Sequence, residues 1–244
     1  MMIRAIQELR ALRDRKSFKP YAVGECWDET RVIEDWLDET NAWSDNPAGA
    51  FDFQLRWRLG DMCDRYGFSL RTLSEGGVLM WDRPGQVVIF VENHDVVRVH
   101  PIINDKLLAY AFILTHEGYP CVFWQDYYNW ELARPGSPNG IDALVKAHER
   151  HAGGPAQVLF ADDDLYIMQR EGINNTQSGL VFTLNNRGSW NGTWVQTKWR
   201  NTRLVPVAWY GGGDMSRPQE KRTDGSGRAD FWAAPRGYAV YVPG

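Results

Sequence analysis

A chain of 244 residues, 43% hydrophobic and 24% charged, is long enough for one large globular domain or for a medium and a small one. Its formal net charge of −4, from 27 basic and 31 acidic residues, argues against nucleic acid or an anionic membrane surface as the main partner. Three scattered cysteines (Cys26, Cys63, Cys121) without CxxC spacing exclude a disulfide framework and a Cys/His zinc site.

In chain order, residues 1–18 read as a basic amphipathic helix with Met2, Ile6 and Leu9 on one face. They lack the uninterrupted apolar core of a secretory signal. Tyr21-Ala22-Val23 reads as a strand running into Gly24-Glu25. A helix follows from about Glu29 to Glu39, with Val32, Ile33, Trp36 and Leu37 inward. Residues 50–55 alternate like a short strand, and Leu59 to Leu73 carries a helical pattern that Gly67 can break. Val87 to Val91 is an apolar strand. Lys106 to Thr115 is an almost wholly apolar helix closed by Gly118 and Pro120, Cys121 to Trp124 is a buried strand, and Ile141 to Arg150 is a last helix. Cys63 and Cys121, in apolar surroundings, read as buried thiols. Strand and helix in regular succession predict βαβ units and a parallel sheet.

The pattern changes at His151-Ala152-Gly153-Gly154-Pro155. Beyond it, segments 157–161, 164–170, 179–185, 193–199, 203–209 and 237–242 are short, β-rich and separated by turn residues. The expected division is therefore an α/β unit over 1–152 and an all-β unit, an antiparallel sandwich, over 153–244.

Two strand ends carry chemistry. The strand through Phe90 ends in Val91-Glu92-Asn93-His94-Asp95, and the strand through Val23 ends in Gly24-Glu25. Carboxylates at the carboxyl ends of parallel strands occupy the position where barrel enzymes place reacting groups. A pair of acids is the minimum equipment for hydrolysing a glycosidic bond. Twelve tryptophans are a compositional excess. Indole faces stack on sugar rings, so Trp27, Trp124, Tyr127 and Trp130 are candidates to line a sugar cleft, while most of the others read as core.

Val23-Gly24-Glu25 and Phe90-Val91-Glu92-Asn93-His94-Asp95 resemble two signature regions of the α-amylase family, glycoside hydrolase family 13. The stretch from Leu108 to Phe123 is similar to the seventh helix and eighth strand of bacterial liquefying-type amylases, and the tail ending Gly237-Tyr238-Ala239-Val240-Tyr241-Val242 to that family's C-terminal β domain. The resemblance spans nearly the whole chain. It implies the C-terminal half, strands five to eight, of a (β/α)8 TIM barrel followed by a β-sandwich. It also implies Glu25 as general acid/base, Asp95 as stabiliser of the oxocarbenium-like transition state and His94 as a contact to the sugar. Asn93 then orients its neighbours, and Glu92 puts a longer acid where the family has Asp. Trp27 is expected to supply an apolar wall beside Glu25, and Trp124 to contact substrate.

The family's nucleophile lies in a Gly-Phe-Arg-x-Asp pattern that this sequence does not contain. Gly67-Phe68-Ser69-Leu70-Arg71 is a look-alike with Arg71 at the nucleophile's position. The chain thus reads as a fragment, catalytically incomplete alone, of an enzyme that cleaves internal α-1,4-glucosidic bonds with retention. One alternative is a non-catalytic α-glucan-binding protein that uses the half cleft and Trp190, Trp194 and Trp199. Another is a homodimer of half-barrels, or pairing with the missing N-terminal half. Calcium is expected in the full-length parent, with Asp163, Asp164 and Asn186 as a weak cation set here. The family is often secreted and sometimes cytoplasmic.

Overall fold

The computed structural model describes residues 21–44, 46–173 and 176–244; the expected N-terminal helix lies outside them. Four short strands, β1 (Val23–Gly24), β2 (Gly49–Phe51), β3 (Val87–Phe90) and β4 (Tyr119–Cys121), pair in sequential order, each parallel to its neighbour. Between them run α1 (Thr30–Asn41), α2 (Phe53–Asp64), α3 (Leu79–Asp82), α4 (Val96–Val99) and α5 (Lys106–Thr115), with 3-10 turns at Leu70–Ser74 and Pro84–Gln86. A π-helical turn, Gln125–Asn129, and α6 (Ile141–His151) complete this part.

Helices cover one face of the parallel sheet. Gly24 makes this possible at β1, because a Cβ there would lie 2.1 Å from the Trp36 indole of α1. The opposite face curls. Tyr119 lies on β4 and Tyr21 two residues before β1, the two outer strands, yet their ring centroids are 5.2 Å apart. Neighbouring strands are spaced ~4.8 Å, so a flat sheet would hold these rings much farther apart. Tyr21, Val23 and Tyr119 are about half exposed on this concave side.

Three expectations are corrected at this level. Residues 50–55 are not one strand: β2 stops at Phe51, and buried Asp52 accepts the Leu55 N–H at 2.9 Å to cap α2, so the apolar residues after it turn onto a helix face. The strand expected over 121–124 sits at Tyr119–Cys121, which puts Cys121 on an open edge, exposed, whereas Cys63 is buried as expected. The helix expected over 59–73 is α2, ending at Asp64, with Gly67 at φ +74° beyond it.

Eight strands follow: β5 (Ala156–Ala161), β6 (Leu165–Arg170), β7 (Leu180–Asn185), β8 (Asn191–Gln196), β9 (Arg203–Gly211), β10 (Lys221–Arg222), β11 (Arg228–Ala233) and β12 (Gly237–Pro243). Six form an antiparallel sheet in the order β10-β9-β12-β7-β6-β5, and β8 pairs with β11 as a second layer. Strand alternation assigns the faces. Leu165, Ile167, Val181 and Tyr241 meet Val195, Ala229 and Phe231 of the small layer. Tyr166, Phe182, Tyr238 and Val240 face the other way, into one core with Leu108 and Phe112 of α5. Residues Leu107 to Thr115 of α5 are all buried, so this helix is the common floor of both sheets.

His116 sits at that junction, fully buried and stacked on Phe112 at 3.7 Å. Its Nδ1 lies 2.8 Å from the Phe112 carbonyl and its Nε2 2.9 Å from the Tyr166 hydroxyl. A carbonyl only accepts, so Nδ1 donates to it and Nε2 accepts from Tyr166, which is the neutral imidazole. Burial pushes its pKa down to about 3, while burial of Asp52 pushes that carboxyl up to about 6. The unfolded chain protonates His116 near its ordinary 6.5, so stability falls as pH drops below that value. Asp52 acts oppositely: the folded state holds its proton up to about 6, and stability falls as pH rises from 3.8 to that point. These two contributions offset each other where the windows overlap. Below 3.8 that of His116 is unopposed by Asp52 and adds to the loss from Asp38, Asp214 and Asp224, whose pKa values hydrogen bonds hold low, so the melting temperature is expected to drop there. His116→Gln flattens that acid limb in a pH series of thermal melts; an unaltered limb would refute the buried neutral imidazole.

Candidate active site

Glu25 follows β1 directly, and Asn93, His94 and Asp95 follow β3 after the buried Val91 and Glu92, so the two segments emerge at the same end of a parallel sheet. They meet through Asn93. Its Nδ2 donates to Glu25 Oε1 at 3.3 Å, and its Oδ1 accepts the N–H groups of Asp95 at 3.0 Å and Val96 at 2.7 Å. One amide thus fixes the loop that leads into α4 and holds the Glu25 carboxylate.

Asp95 is partly exposed, with His94 Nε2 at 3.3 Å and Arg98 at 3.9 Å from its two oxygens. Glu25 and His94 are open to solvent. The arrangement offers two carboxylates and an imidazole on an accessible rim, a set able to donate protons, accept them and stabilise a developing positive charge.

Trp27, two residues after Glu25, packs against α2. Its ring stacks on Phe53 at 5.1 Å and on Trp57 at 5.7 Å, and Phe53 meets Phe90 edge-on at 5.2 Å. Trp27, 46% exposed, is thus the outer ring of an aromatic stack on α2. Trp124, Tyr128 and Trp130 are exposed on and beside the π-helical turn. Tyr127 turns inward and donates its hydroxyl to Asp142 of α6.

Behind the rim lies a charge network that sequence reading passes over. Glu92 is buried and contacts Arg56 at 3.0 Å and Lys106 at 3.5 Å, and its Oε1 accepts the Ile102 N–H at 2.6 Å. Lys106 continues to Asp126 at 2.8 Å, which accepts the Tyr110 hydroxyl at 2.6 Å. The signal was present only as single charged letters, for example Lys106 at the start of the otherwise apolar α5. It acquires meaning when α2, β3 and α5 are brought together.

The weak cation set does not fit a metal. Asp163 Oδ1 accepts from the Ser69 hydroxyl at 2.6 Å, Asp164 Oδ2 from Arg187 at 2.8 Å, and Asn186 receives Arg236 on its oxygen while donating to the Phe68 carbonyl at 2.8 Å. The oxygens a cation needs already serve to stitch the β layers to the α2 region, and no group of three or more His, Cys, Asp or Glu suited to a metal occurs among the described residues.

Residues 180–242 match the family model "Alpha-amylase C-terminal". The chain is 31% identical over 184 residues to an α-amylase of Geobacillus stearothermophilus, covering 72% of this chain and 33% of that protein. It is 34% identical over 96 residues to the α-amylase type B isozyme of Hordeum vulgare, covering 36% of this chain and 60% of that protein. Among solved structures, a cyclomaltodextrin glucanotransferase with a three-domain ABC distribution superposes with a TM-score of 0.66 at 18% identity, over 98% of this chain and 52% of that one. AmyP in complex with maltose superposes with a TM-score of 0.64 at 15% identity, over 98% of this chain and 61% of that one. The chain spans roughly a third of the length of the Geobacillus relative. With residues 180–242 matching the family's C-terminal model and bacterial α-amylases among its relatives, the chain belongs to the α-amylase family, glycoside hydrolase family 13, of which it carries the C-terminal part.

Proposed function

We propose that this chain is the C-terminal half of the catalytic barrel, plus the β-sandwich, of an enzyme that hydrolyses internal α-1,4-glucosidic bonds of starch-like glucans with retention. The observation that carries this reading is the hydrogen bond from Asn93 to Glu25, which joins two separate strand ends into one acid-bearing rim. Glu25 donates its proton to the glycosidic oxygen as that bond breaks. As a carboxylate it then removes a proton from the water that attacks the sugar. Asp95 faces the positive charge that builds at the anomeric carbon, and His94 hydrogen-bonds the same sugar. Residues 1–152 are assigned to the barrel part and 153–244 to the sandwich. No calcium-dependent step is assigned to this chain, because the residues expected to hold the ion are otherwise engaged.

The attacking carboxylate has to come from outside this sequence, since the Gly-Phe-Arg-x-Asp pattern is not in it. Among the described residues β1 and β4 are unpaired on their outer edges, and these edges with the concave face of Tyr21, Val23 and Tyr119 are the surfaces a complementary half-barrel would cover. The polypeptide alone is expected to release no reducing ends from amylose. A chimaera joining it to the N-terminal part of a related α-amylase is expected to restore hydrolysis with α-configured products. Turnover by the chain alone, or a folded but inactive chimaera, would overturn this reading. The competing glucan-binding reading predicts binding without hydrolysis in both proteins.

A further inference from the structure

We propose that Lys106 is a positioning residue: through Glu92 and Asp126 it holds the aromatic turn after β4 at a set distance from the acid-bearing loop after β3. The assignment rests on the reading above, in which both loops meet an α-glucan. It concerns a side chain that touches neither the sugar nor the reacting bond.

The two loops leave neighbouring strands. Glu92 stands directly before Asn93, His94 and Asp95, and Asp126 lies in the π-helical turn Gln125–Asn129. Such turns are rare and concentrate at functional sites. Within this one Asp126 is fully buried, while Trp124, Tyr128 and Trp130 around it are exposed. Both oxygens of Asp126 are taken by α5: Oδ1 accepts from Lys106 Nζ at 2.8 Å and Oδ2 from the Tyr110 hydroxyl at 2.6 Å. Lys106 and Tyr110 are four positions apart, so they share one face of the helix. The same ammonium reaches Glu92 Oε1 at 3.5 Å and lies 5.4 Å from the centroid of the Trp130 ring. One cation therefore meets the base of the His94–Asp95 loop, the buried acid of the aromatic turn and one of the exposed rings.

Side-chain packing does not set the spacing of these loops. A cavity of about 220 Å³ lies between them, lined by Val97 and Ile103 from one and by Trp130 and Leu132 from the other, with Lys106 in its wall. Across a gap dispersion contacts are lost, so the apolar walls hold each other weakly. The Lys106 side chain is only 11% exposed and both of its carboxylate partners are buried, where a charge-assisted contact is strong. The two ends of this bridge depend on it unequally. Without the ammonium, Glu92 still has Arg56 at 3.0 Å and the Ile102 N–H at 2.6 Å, so the loop after β3 stays in place. Asp126 keeps the Tyr110 hydroxyl alone among the described residues. Loss of Lys106 therefore frees the aromatic turn and leaves Glu25, Asn93 and Asp95 where they are. Contacts that the aromatic turn makes to substrate and transition state alike are then weakened, which raises KM and spares kcat. A residue that served stability alone would lower the melting temperature without this split.

The test combines Lys106→Met with Asp126→Asn, because Lys106→Met alone strands a buried carboxylate and can unfold the chain. The double change removes both charges, leaves Glu92 paired with Arg56, and still offers the Tyr110 hydroxyl an oxygen at position 126. In the full chain, amide hydrogen exchange across residues 125–130 is expected to rise, while exchange across 93–96 stays as in wild type. In the chimaera with the N-terminal part of a related α-amylase, KM on amylose is expected to rise about tenfold, the size of one lost stacking contact, with kcat nearly unchanged. Asp126→Asn alone keeps Lys106 on Glu92 and is expected to fall between, which reads the role even where the double variant does not fold. Unchanged exchange in the turn, an unchanged KM, or a loss confined to kcat would overturn the role of Lys106 and leave the hydrolytic reading intact. A wild-type chimaera that folds without hydrolysing amylose would overturn the hydrolytic reading, and the positioning role with it.

Discussion

In an enzyme completed with the missing half of the barrel, Glu25→Gln is expected to lower kcat/KM on amylose by about 10²–10⁴, the usual contribution of a positioned acid/base. The amide keeps the size of the side chain and still presents an oxygen to Asn93 Nδ2, so the Asn93 contact at 3.3 Å can survive while the proton is lost. A general acid assists only leaving groups that need protonation. On α-maltosyl fluoride, whose leaving group departs as an anion, the first step is expected to be far less impaired. Asp95→Asn removes charge from the face of the developing cation and is expected to impair both substrates alike. If Glu25→Gln lost the same factor on amylose and on the fluoride, the acid/base assignment would fail and a structural role for Glu25 would remain. Asn93→Ala belongs between the two. It leaves both carboxylates but frees Glu25 and uncaps the loop at Asp95 and Val96, so it should depress activity on both substrates without altering their ratio.

How much of this was legible in the sequence depends on the range of the interaction that decides each feature. The apolar runs of α5, β6 and β7 are local, and reading them places those elements within a residue or two of where they lie. The strand ends at Glu25 and at Asn93 to Asp95 were legible because chemistry concentrates there in adjacent letters. β11 was missed: Arg228-Ala229-Asp230-Phe231-Trp232-Ala233 is short, with two charges outside and only Phe231 as a large inner residue, so its strand pattern is weak until β8 pairs with it. Asp52 looked like one polar position in an alternating strand, although two of its hydrogen bonds, to Leu55 and Met80, come from α2 and α3. Trp27 went to Phe53 and Trp57 through a packing choice among three segments that no pattern within one segment specifies. The same holds for the charges behind the rim.

Those charges carry the largest expected effect on stability. Glu92→Ala is expected to destabilise the chain by about 3–5 kcal/mol, the cost of stranding one member of a buried ion pair. Arg56 is almost fully buried, and of its partners only Glu92 carries a compensating charge; the carbonyls of Val91 and His100 do not. Lys106 is less affected, because Asp126 remains 2.8 Å away. At the ~2–4 °C per kcal/mol typical of chains this size, thermal denaturation should shift by on the order of 10 °C. Glu92→Gln should fall between wild type and alanine: its oxygen can still accept the Ile102 N–H, but its amide nitrogen sets donor against donor at Arg56. The double change Arg56→Leu with Glu92→Leu removes both charges and should recover much of the loss, since neither is then left unpaired. A double variant no more stable than Glu92→Ala would mean that the Ile102 anchor, and not the ion pair, is what Glu92 supplies. That anchor ties the far end of the His94–Asp95 loop back to β3, so the two contributions separate in one further measurement. Glu92→Gln keeps the anchor and weakens only the pair, so amide hydrogen exchange across residues 95–102 should stay near wild type, whereas Glu92→Ala, which loses the anchor while Arg56 still holds the His100 carbonyl, should raise it.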